Sequence, residues 1–251
     1  MPRPPRLLAA AALLVLAAPA HAQSSDRRPT VAVLPFEVSA LKDRADFEPL
    51  NRGVAEMMVS TLAANPGVRV IERERIQKLL DEQTLGASGR VDAETAVRIG
   101  KLLGVHHMLT GLVMVDTKRQ VRMTARSINT ETGVIEYAES VSGKADDLLT
   151  LIDQLGNKVN TGLKLPPIPF RVNTPTGGGE AAQTRTASNA PAAAKPGGSF
   201  RAMMLMSRGL EKQDRGDTQG AIALYKNALQ EDPGLDRARV RLASAERAPA
   251  P

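Results

Sequence analysis

The chain has 251 residues, of which 33 are lysine or arginine and 27 are aspartate or glutamate, so its net charge is +6 at pH 7. Residues 1–22 contain two arginines and no acidic residue. Without them the chain has 31 basic and 27 acidic residues, and its net charge falls to +4. This excess is too small to predict a nucleic-acid partner. Because there is no cysteine, we expect neither a disulfide framework nor a lipid on an N-terminal cysteine.

The first 22 residues predict a secretory signal peptide. Arg3 and Arg6 precede an apolar run over residues 7–18, and a small-x-small pattern follows it. The residues that define the expected cleavage site are Ala20, Ala22 and Gln23. A membrane anchor is the alternative, but the run is shorter than the roughly 20 residues that a spanning helix needs. No later stretch reaches 18 apolar residues, so we expect a periplasmic protein without a membrane-spanning segment, which meets the outer membrane only through partners.

Residues 28–165 are predicted to form an α/β domain with a mixed sheet in the order β-α-β-α-α-β-β-β-α. The first apolar run, residues 30–36, is typical of a strand buried on both faces, and Pro35 is expected to end its pairing. Turns of about five residues separate the last three strands, which predicts an antiparallel meander. Further strands are expected at residues 68–71, before Val115, at 121–128 and at 134–142, and helices at 46–64, at 146–163 and twice within 70–115.

The two helices within residues 70–115 are amphipathic and need a sheet to lie on. The first has Ile76, Leu79 and Leu80 on one face, and the second has Ala96, Ile99, Gly100 and Leu103 on one face. Asp92 is expected to cap the second helix. Gly104 is expected to end it in a left-handed conformation.

Residues 166–199 are rich in proline, glycine and alanine and predict a linker. Their glycines are not a phosphate loop, because no strand precedes them and no Lys-Ser or Lys-Thr follows.

Residues 200–247 return to a helical pattern and predict a small all-α module. The positions that match a tetratricopeptide repeat are Leu205, Gly209, Ala221, Tyr225, Ala228 and Pro233. A plain helical hairpin is the alternative. One repeat can hardly bury its own core, so the module needs a partner or a second copy of itself.

The order and residues of the α/β part resemble the curli production assembly and transport component family, CsgG. The carrying segments are residues 31–36 (Val-Ala-Val-Leu-Pro-Phe), 70–83, 88–92 (Ser-Gly-Arg-Val-Asp), 96–104 and 110–111. This resemblance implies a periplasmic domain that assembles with copies of itself or with envelope proteins and has no chemistry of its own. The short turns of the meander leave no room for barrel strands of ~9 to 11 residues, so we expect a relative that forms no pore. Because the chain has no cysteine, we also expect this relative to carry no lipid.

The sequence offers no catalytic, cofactor or metal constellation. His106 and His107 are expected to point to opposite faces of a strand and so cannot share a metal. With two histidines after residue 22 and no nucleophile elbow, a hydrolytic triad is not expected. The charged run over residues 72–75 is interpreted as a solvated helix turn, with a subunit contact as the alternative.

These observations favour a non-catalytic periplasmic protein of CsgG type, associated with assembly or secretion, that acts through protein–protein contacts. Its partners would be envelope or secreted proteins, with a homo-oligomer also open. The alternative is a periplasmic regulator of an envelope enzyme such as a cell-wall synthase, which would make a one-to-one contact instead of a ring. No cofactor is implied by either hypothesis.

Overall fold

The computed structural model describes residues 28–41, 44–82, 92–165 and 198–247. The expected signal peptide, the connection over residues 83–91 and most of the expected linker lie outside these ranges. The described strands are β1 (Thr30–Val33), β2 (Glu37–Ala40), β3 (Arg69–Val70), β4 (His107–Val115), β5 (Gln120–Asn129) and β6 (Ile135–Lys144). The described helices are α1 (Arg44–Phe47), α2 (Leu50–Ala63), α3 (Arg73–Glu82), α4 (Ala93–Leu103), α5 (Leu148–Gly162), α6 (Gly198–Asp214), α7 (Thr218–Glu231) and α8 (Asp236–Arg247).

The strands form one mixed sheet in the order β3-β1-β4-β5-β6, and β2 lies beside β4. β1 is parallel to both β3 and β4, whereas β4, β5 and β6 are antiparallel neighbours. The antiparallel meander expected from the short turns is therefore confirmed. So is the predicted fold class, an α/β mixed sheet accompanied by C-terminal helices.

Pairing along β4 is interrupted at Pro35 and then resumes. β1 pairs with β4 up to Val33 opposite Leu109, and β2 pairs with it again from Glu37 opposite Leu112. Between them, the amide of Phe36 donates to the carbonyl of Asn51 in α2 at 3.1 Å. β1 therefore ends before Pro35, as expected, whereas the separate strand β2 that follows was not predicted.

The helix expected over residues 46–64 is two helices. α1 ends at Phe47, and α2 begins after Pro49, whose backbone has helical angles at the N-cap position. Proline has no amide hydrogen to donate, so this is the position of a helix at which it is best tolerated.

Both faces of the sheet carry helices. One face packs α3 and α4 over a core that includes Ala32, Leu34, Met108 and Ile128. The opposite face packs α2 and α5 over a core that includes Val31, Leu109, Val113, Val121 and Met123. Successive residues of a strand therefore point into two separate cores, because side chains alternate between the two faces of a sheet.

The predicted features of α3 and α4 are confirmed. The expected stripes are buried, fully or in part, beneath the two helices: Ile76, Leu79, Leu80, Ala96, Ile99, Gly100 and Leu103. The carboxylate of Asp92 accepts a hydrogen bond from the amide of Thr95 at 2.7 Å, and Gly104 ends α4 with φ of +64°. Local sequence therefore determines both ends of α4.

The C-terminal helices lie on the outer side of α2 and belong to the same core as the sheet. Their buried side chains include Met203, Met206, Leu210 and Tyr225. At the start of α6, the ring of Phe200 lies 6.2 Å from that of Phe47, centroid to centroid. The core that one helical repeat cannot complete alone is thus completed by the α/β part of the same chain. The division into domains at residues 28–165, 166–199 and 200–247 stays a prediction.

Candidate functional site

A buried cluster of charges joins the C-terminal helices to the α/β part. At its centre is Glu56, in the middle of α2, whose side chain is fully buried. Arg241 of α8 donates to both of its carboxylate oxygens, at 2.7 and 2.5 Å. Arg237 of α8 and Arg73 of α3 also pair with it, the latter at 3.4 Å. One carboxylate thus holds α8 against α2 and α3, which lie more than 150 residues earlier in the sequence.

Asp214, at the end of α6, is the second acid of this cluster. Arg73 donates to its two oxygens at 2.9 and 2.8 Å, and Arg52 of α2 donates at 2.9 Å. Burial lowers the pKa of Arg73, but the hydrogen bonds and charge of Asp214 and the charge of Glu56 more than offset this and raise the pKa above its usual value. Arg73 is therefore charged at neutral pH.

The cluster corrects the interpretation of the charged run over residues 72–75. Arg73 is 1% exposed, although Glu72 and Arg75 beside it are exposed as expected for a solvated turn. The contact that buries Arg73 comes from α2 and α6 of the same chain. Its guanidinium therefore serves the assembly of the fold and is not available to a second subunit.

Close backbone approach accompanies the charge cluster. A Cβ atom on Gly53 of α2 would lie 1.9 Å from Oγ of Ser207 in α6. That hydroxyl donates to the carbonyl of Met203 at 2.7 Å, which fixes its direction. α6 can approach α2 this closely only because residue 53 has no side chain.

The opposite side of the molecule has an uncovered area, which we call the open sheet face. It comprises the residues of β2, β4, β5 and β6 that point away from α2 and α5, beyond the part covered by α3 and α4. They are Glu37, Ser39, Thr110, Leu112, Met114, Arg122, Thr124, Arg126, Ala138, Ser140 and Ser142. All are exposed or half-buried in the described part of the chain.

The register arranges the open sheet face in rows across the strands. Met114, Arg122 and Ser142 lie side by side in one row, and Ser39 extends it onto β2. A cavity of about 230 Å³ lies at this end, lined by residues that include Leu41, Met114 and Arg122. Leu41 is 76% exposed and Met114 is 46% exposed. Large apolar side chains exposed together at a concave place are typical of a contact surface.

The two histidines lie at another edge of the sheet. Only His107 belongs to β4, and both rings line one cavity of about 280 Å³, so the expectation that they point to opposite faces was wrong. Nδ1 of His106 is 2.7 Å from Oγ1 of Thr30, and His107 pairs with Glu136. In the described ranges, no group of three His, Cys, Asp or Glu could hold a metal.

The chemistry of this histidine cavity does not resemble hydrolysis. The hydroxyl of Ser127 donates to Glu136 at 2.9 Å and is fully buried, whereas a nucleophilic serine donates to the imidazole and faces the substrate. The acid therefore holds both the serine and His107. This is a structural arrangement that fixes the start of β4 against β5 and β6.

The residues proposed for a tetratricopeptide repeat lie together at the contact between α6 and α7. Ala221, Tyr225 and Ala228 are fully buried. A Cβ atom on Gly209 would lie 2.5 Å from the ring of Tyr225, so the two helices approach closely there. Leu205 is partly buried, and the carbonyl of Pro233 accepts a hydrogen bond from Arg239 at 2.6 Å. Their assignment to that repeat stays a prediction, and Ala20, Ala22 and Gln23 lie outside the described residues.

The fold and the open sheet face define an α/β protein whose uncovered surface suits protein contacts. Residues 15–115 match the model of the family described as Curli production assembly/transport component CsgG. This segment, which contains β1 to β4, is therefore similar to that family, and the predicted resemblance is confirmed. No curated protein sequence matches the chain.

Several solved structures are similar to part of the chain. The LpoB C-terminal domain from Escherichia coli is 13% identical, with a TM-score of 0.36, over 49% of this chain and 87% of that one. Lipoprotein GNA1162 from Neisseria meningitidis is 14% identical, with a TM-score of 0.39, over 53% and 98%. The PelC dodecamer from Paraburkholderia phytofirmans is 14% identical, with a TM-score of 0.34, over 57% and 91%. Among the described helices, none is long and apolar enough to cross a membrane.

Proposed function

We propose that this protein is a non-catalytic component of an envelope assembly or secretion system, and that it acts by binding another protein through the open sheet face. The family match over residues 15–115 supports the class of system. The observation that carries the proposal is the uncovered face itself. Helices α3 and α4 cover one core of the sheet, and helices α2 and α5 cover the other. The open sheet face is therefore the part of the sheet that remains available to a partner.

In this proposal the C-terminal helices are not a separate module on a flexible linker. They are held to α2 by Glu56 and Asp214 and by the close approach at Gly53. We therefore assign them to the body of the protein, where they support α2 from behind and leave the open sheet face free. A partner would meet one rigid unit instead of two modules on a flexible linker.

The proposed location is the periplasm, after cleavage behind Ala22. The small-x-small pattern and the family support it. Intact mass of the protein purified from the envelope fraction should correspond to a chain that begins at Gln23.

A photocrosslinking amino acid placed at Ser142 tests the proposal in the native host. Ser142 is exposed on the open sheet face, and Asn227, exposed on α7, is the matched control position. We expect a discrete crosslinked product from position 142 and none of that size from position 227. Equal products from both positions, or none from position 142, would contradict the proposal.

The composition of the crosslinked product separates the two hypotheses raised by the sequence. A product made of two copies of this chain, together with a multimeric mass in solution, supports an assembly protein. A product with one copy of a different envelope protein, from a chain that is monomeric in solution, supports the regulator of an envelope enzyme. Light scattering coupled to size-exclusion chromatography of residues 23–251 gives the solution mass.

A further inference from the structure

We infer that the open sheet face binds an acidic segment of a partner protein and that one apolar side chain of this segment enters the cavity between Leu41 and Met114. The inference rests on the proposed function, because it names the chemistry of the partner at the same surface. It is carried by the distribution of charge, of small side chains and of exposed apolar side chains across the four strands.

The charge comes from two arginines on β5. Arg122 and Arg126 are exposed on the same face, four residues apart, and a strand rise of about 3.3 Å per residue separates them by roughly 13 Å. Their neighbours in register are Met114 and Ser142 for the first, and Thr110 and Ala138 for the second. None of these neighbours is acidic, and neither guanidinium forms an ion pair within the described residues.

The other ionisable groups near the face do not neutralise the arginines. Glu37 is half-buried on β2 and lies in the row of Leu112, beyond β4 from both arginines. Asp116 lines the cavity and brings one negative charge, but its Oδ1 accepts hydrogen bonds from the amides of Lys118 and Gln120, at 2.8 and 2.7 Å, and among the described residues it forms no ion pair with either arginine. Lys144, exposed at the end of β6, adds positive charge. A partner with carboxylates therefore complements this face.

The cavity between Leu41 and Met114 determines where the apolar side chain of such a segment binds. The cavity of about 230 Å³ has Leu41 and Met114 in its wall and Arg122 at its rim. A side chain that enters it would cover both exposed apolar groups, and a carboxylate nearby would meet Arg122. Arginine and methionine are enriched at protein interfaces, and an apolar anchor beside a charged rim is the usual arrangement of a small contact.

Small side chains make the middle of the face flat. Thr124 and Ser140 separate the cavity from Arg126, Ala138 lies beside that arginine, and all three side chains are small. The backbone of an extended or helical segment can therefore lie close to the strands. The face lacks the large aliphatic surface of an obligate dimer, which favours a segment over a second domain core.

A second copy docking the same face is a poor occupant. A two-fold contact through this face would bring the unpaired arginines of both copies, Arg122 and Arg126, into one interface, and an excess of like charge in an interface is unfavourable. A basic segment is excluded for the same reason. The charge pattern thus selects an acidic partner.

Selection of random displayed dodecapeptides on the mature chain, residues 23–251, tests this inference. We expect enriched peptides to combine Asp or Glu with one Leu, Ile, Met or Phe. Affinity of a consensus peptide should fall about tenfold or more for the double variant R122E/R126E, and also with rising salt, because exposed charge pairs are screened. The control R201E/R208E reverses the same number of charges on α6 and should bind like the parent chain.

The inference is overturned if no peptide is enriched, if the enriched peptides have no acidic bias, or if R122E/R126E and R201E/R208E bind the consensus peptide alike. Circular dichroism and thermal unfolding of both variants verify that they fold. If crosslinking from position 142 captures a partner while the peptides show no acidic preference, the proposed function stands and only the chemistry inferred for the partner fails.

Discussion

Arg241 and Glu56 form a two-point ion pair in the interior of the protein, across 185 residues of sequence. Arg241 belongs to the last helix and Glu56 to the first long one, and both side chains are buried. Isolated buried charges are strongly unfavourable, and here neither is isolated, because Arg237 and Arg73 also pair with Glu56 and Glu74 also pairs with Arg241. The pair therefore selects one position of α8 on α2. Hydrophobic contacts alone would allow several similar positions.

Replacing Glu56 by glutamine should destabilise the protein by about 3–5 kcal/mol, because it leaves the charges of Arg241, Arg237 and Arg73 without their shared partner. Urea unfolding followed by circular dichroism measures this difference. Glu72→Gln is the control. Its carboxylate also pairs with Arg237, at 3.5 Å, but it is 68% exposed and the loss should stay below about 1 kcal/mol. Equal effects of the two substitutions would contradict a central role for Glu56.

Gly53→Ala should lower stability although alanine is the better helix former by about 1 kcal/mol. The added Cβ would lie 1.9 Å from Oγ of Ser207 and 3.0 Å from its Cβ, so α6 would have to move away from α2. The double variant G53A/S207G should recover much of the lost stability, because the clashing side chain is removed. A stabilising effect of Gly53→Ala alone would mean that α6 does not pack here.

Sequence reasoning succeeded where the controlling interactions are local. The stripe of α4, the cap at Asp92 and the turn at Gly104 depend on residues within a few positions, and all three were predictable. The alternation of Val121, Met123 and Ala125 with Arg122 and Thr124 likewise predicts a strand with one polar face. Whether that face is covered depends on other elements, and the pattern along one strand does not contain this information.

The charge cluster was not predictable for the same reason. Glu56 and Arg73 occur among other charged residues, and charged side chains on helices are usually solvated. Their burial depends on α6 and α8, which are more than a hundred residues away. The one available signal was Gly53, three positions before Glu56 in the middle of a helix, where glycine is unfavourable unless another element approaches closely. β2 was missed because its four residues follow a proline.

Asp217 should make α7 sensitive to acid. Its carboxylate pairs with Lys212 at 2.9 Å and accepts from the amide of Gly220 at 2.9 Å, and these hydrogen bonds lower its pKa. Since the folded pKa lies below the unfolded one, the stabilisation is complete above the usual aspartate value of about 4 and is lost as the pH falls through the folded pKa.

Asp217→Ala should therefore lower the thermal midpoint at neutral pH, and the difference from the parent chain should shrink at strongly acidic pH. Asp217→Asn keeps an N-cap acceptor without the charge and should fall between the two at neutral pH. Thermal unfolding by circular dichroism across this pH range measures all three chains. A difference that does not change with pH would show that the charge of Asp217 contributes nothing.

Phe200 and Arg119 should be energetically coupled, because Cζ of Arg119 lies 5.0 Å from the centroid of the Phe200 ring. This contact joins the start of α6 to the turn between β4 and β5. A double-mutant cycle with F200L, R119Q and the double variant, measured by urea unfolding, should give a coupling of about 0.5–1 kcal/mol. Phe200→Leu keeps an apolar side chain at a buried position, so the cycle reports the ring and not a cavity. Additive effects would mean that the arginine lies beside the ring without attraction.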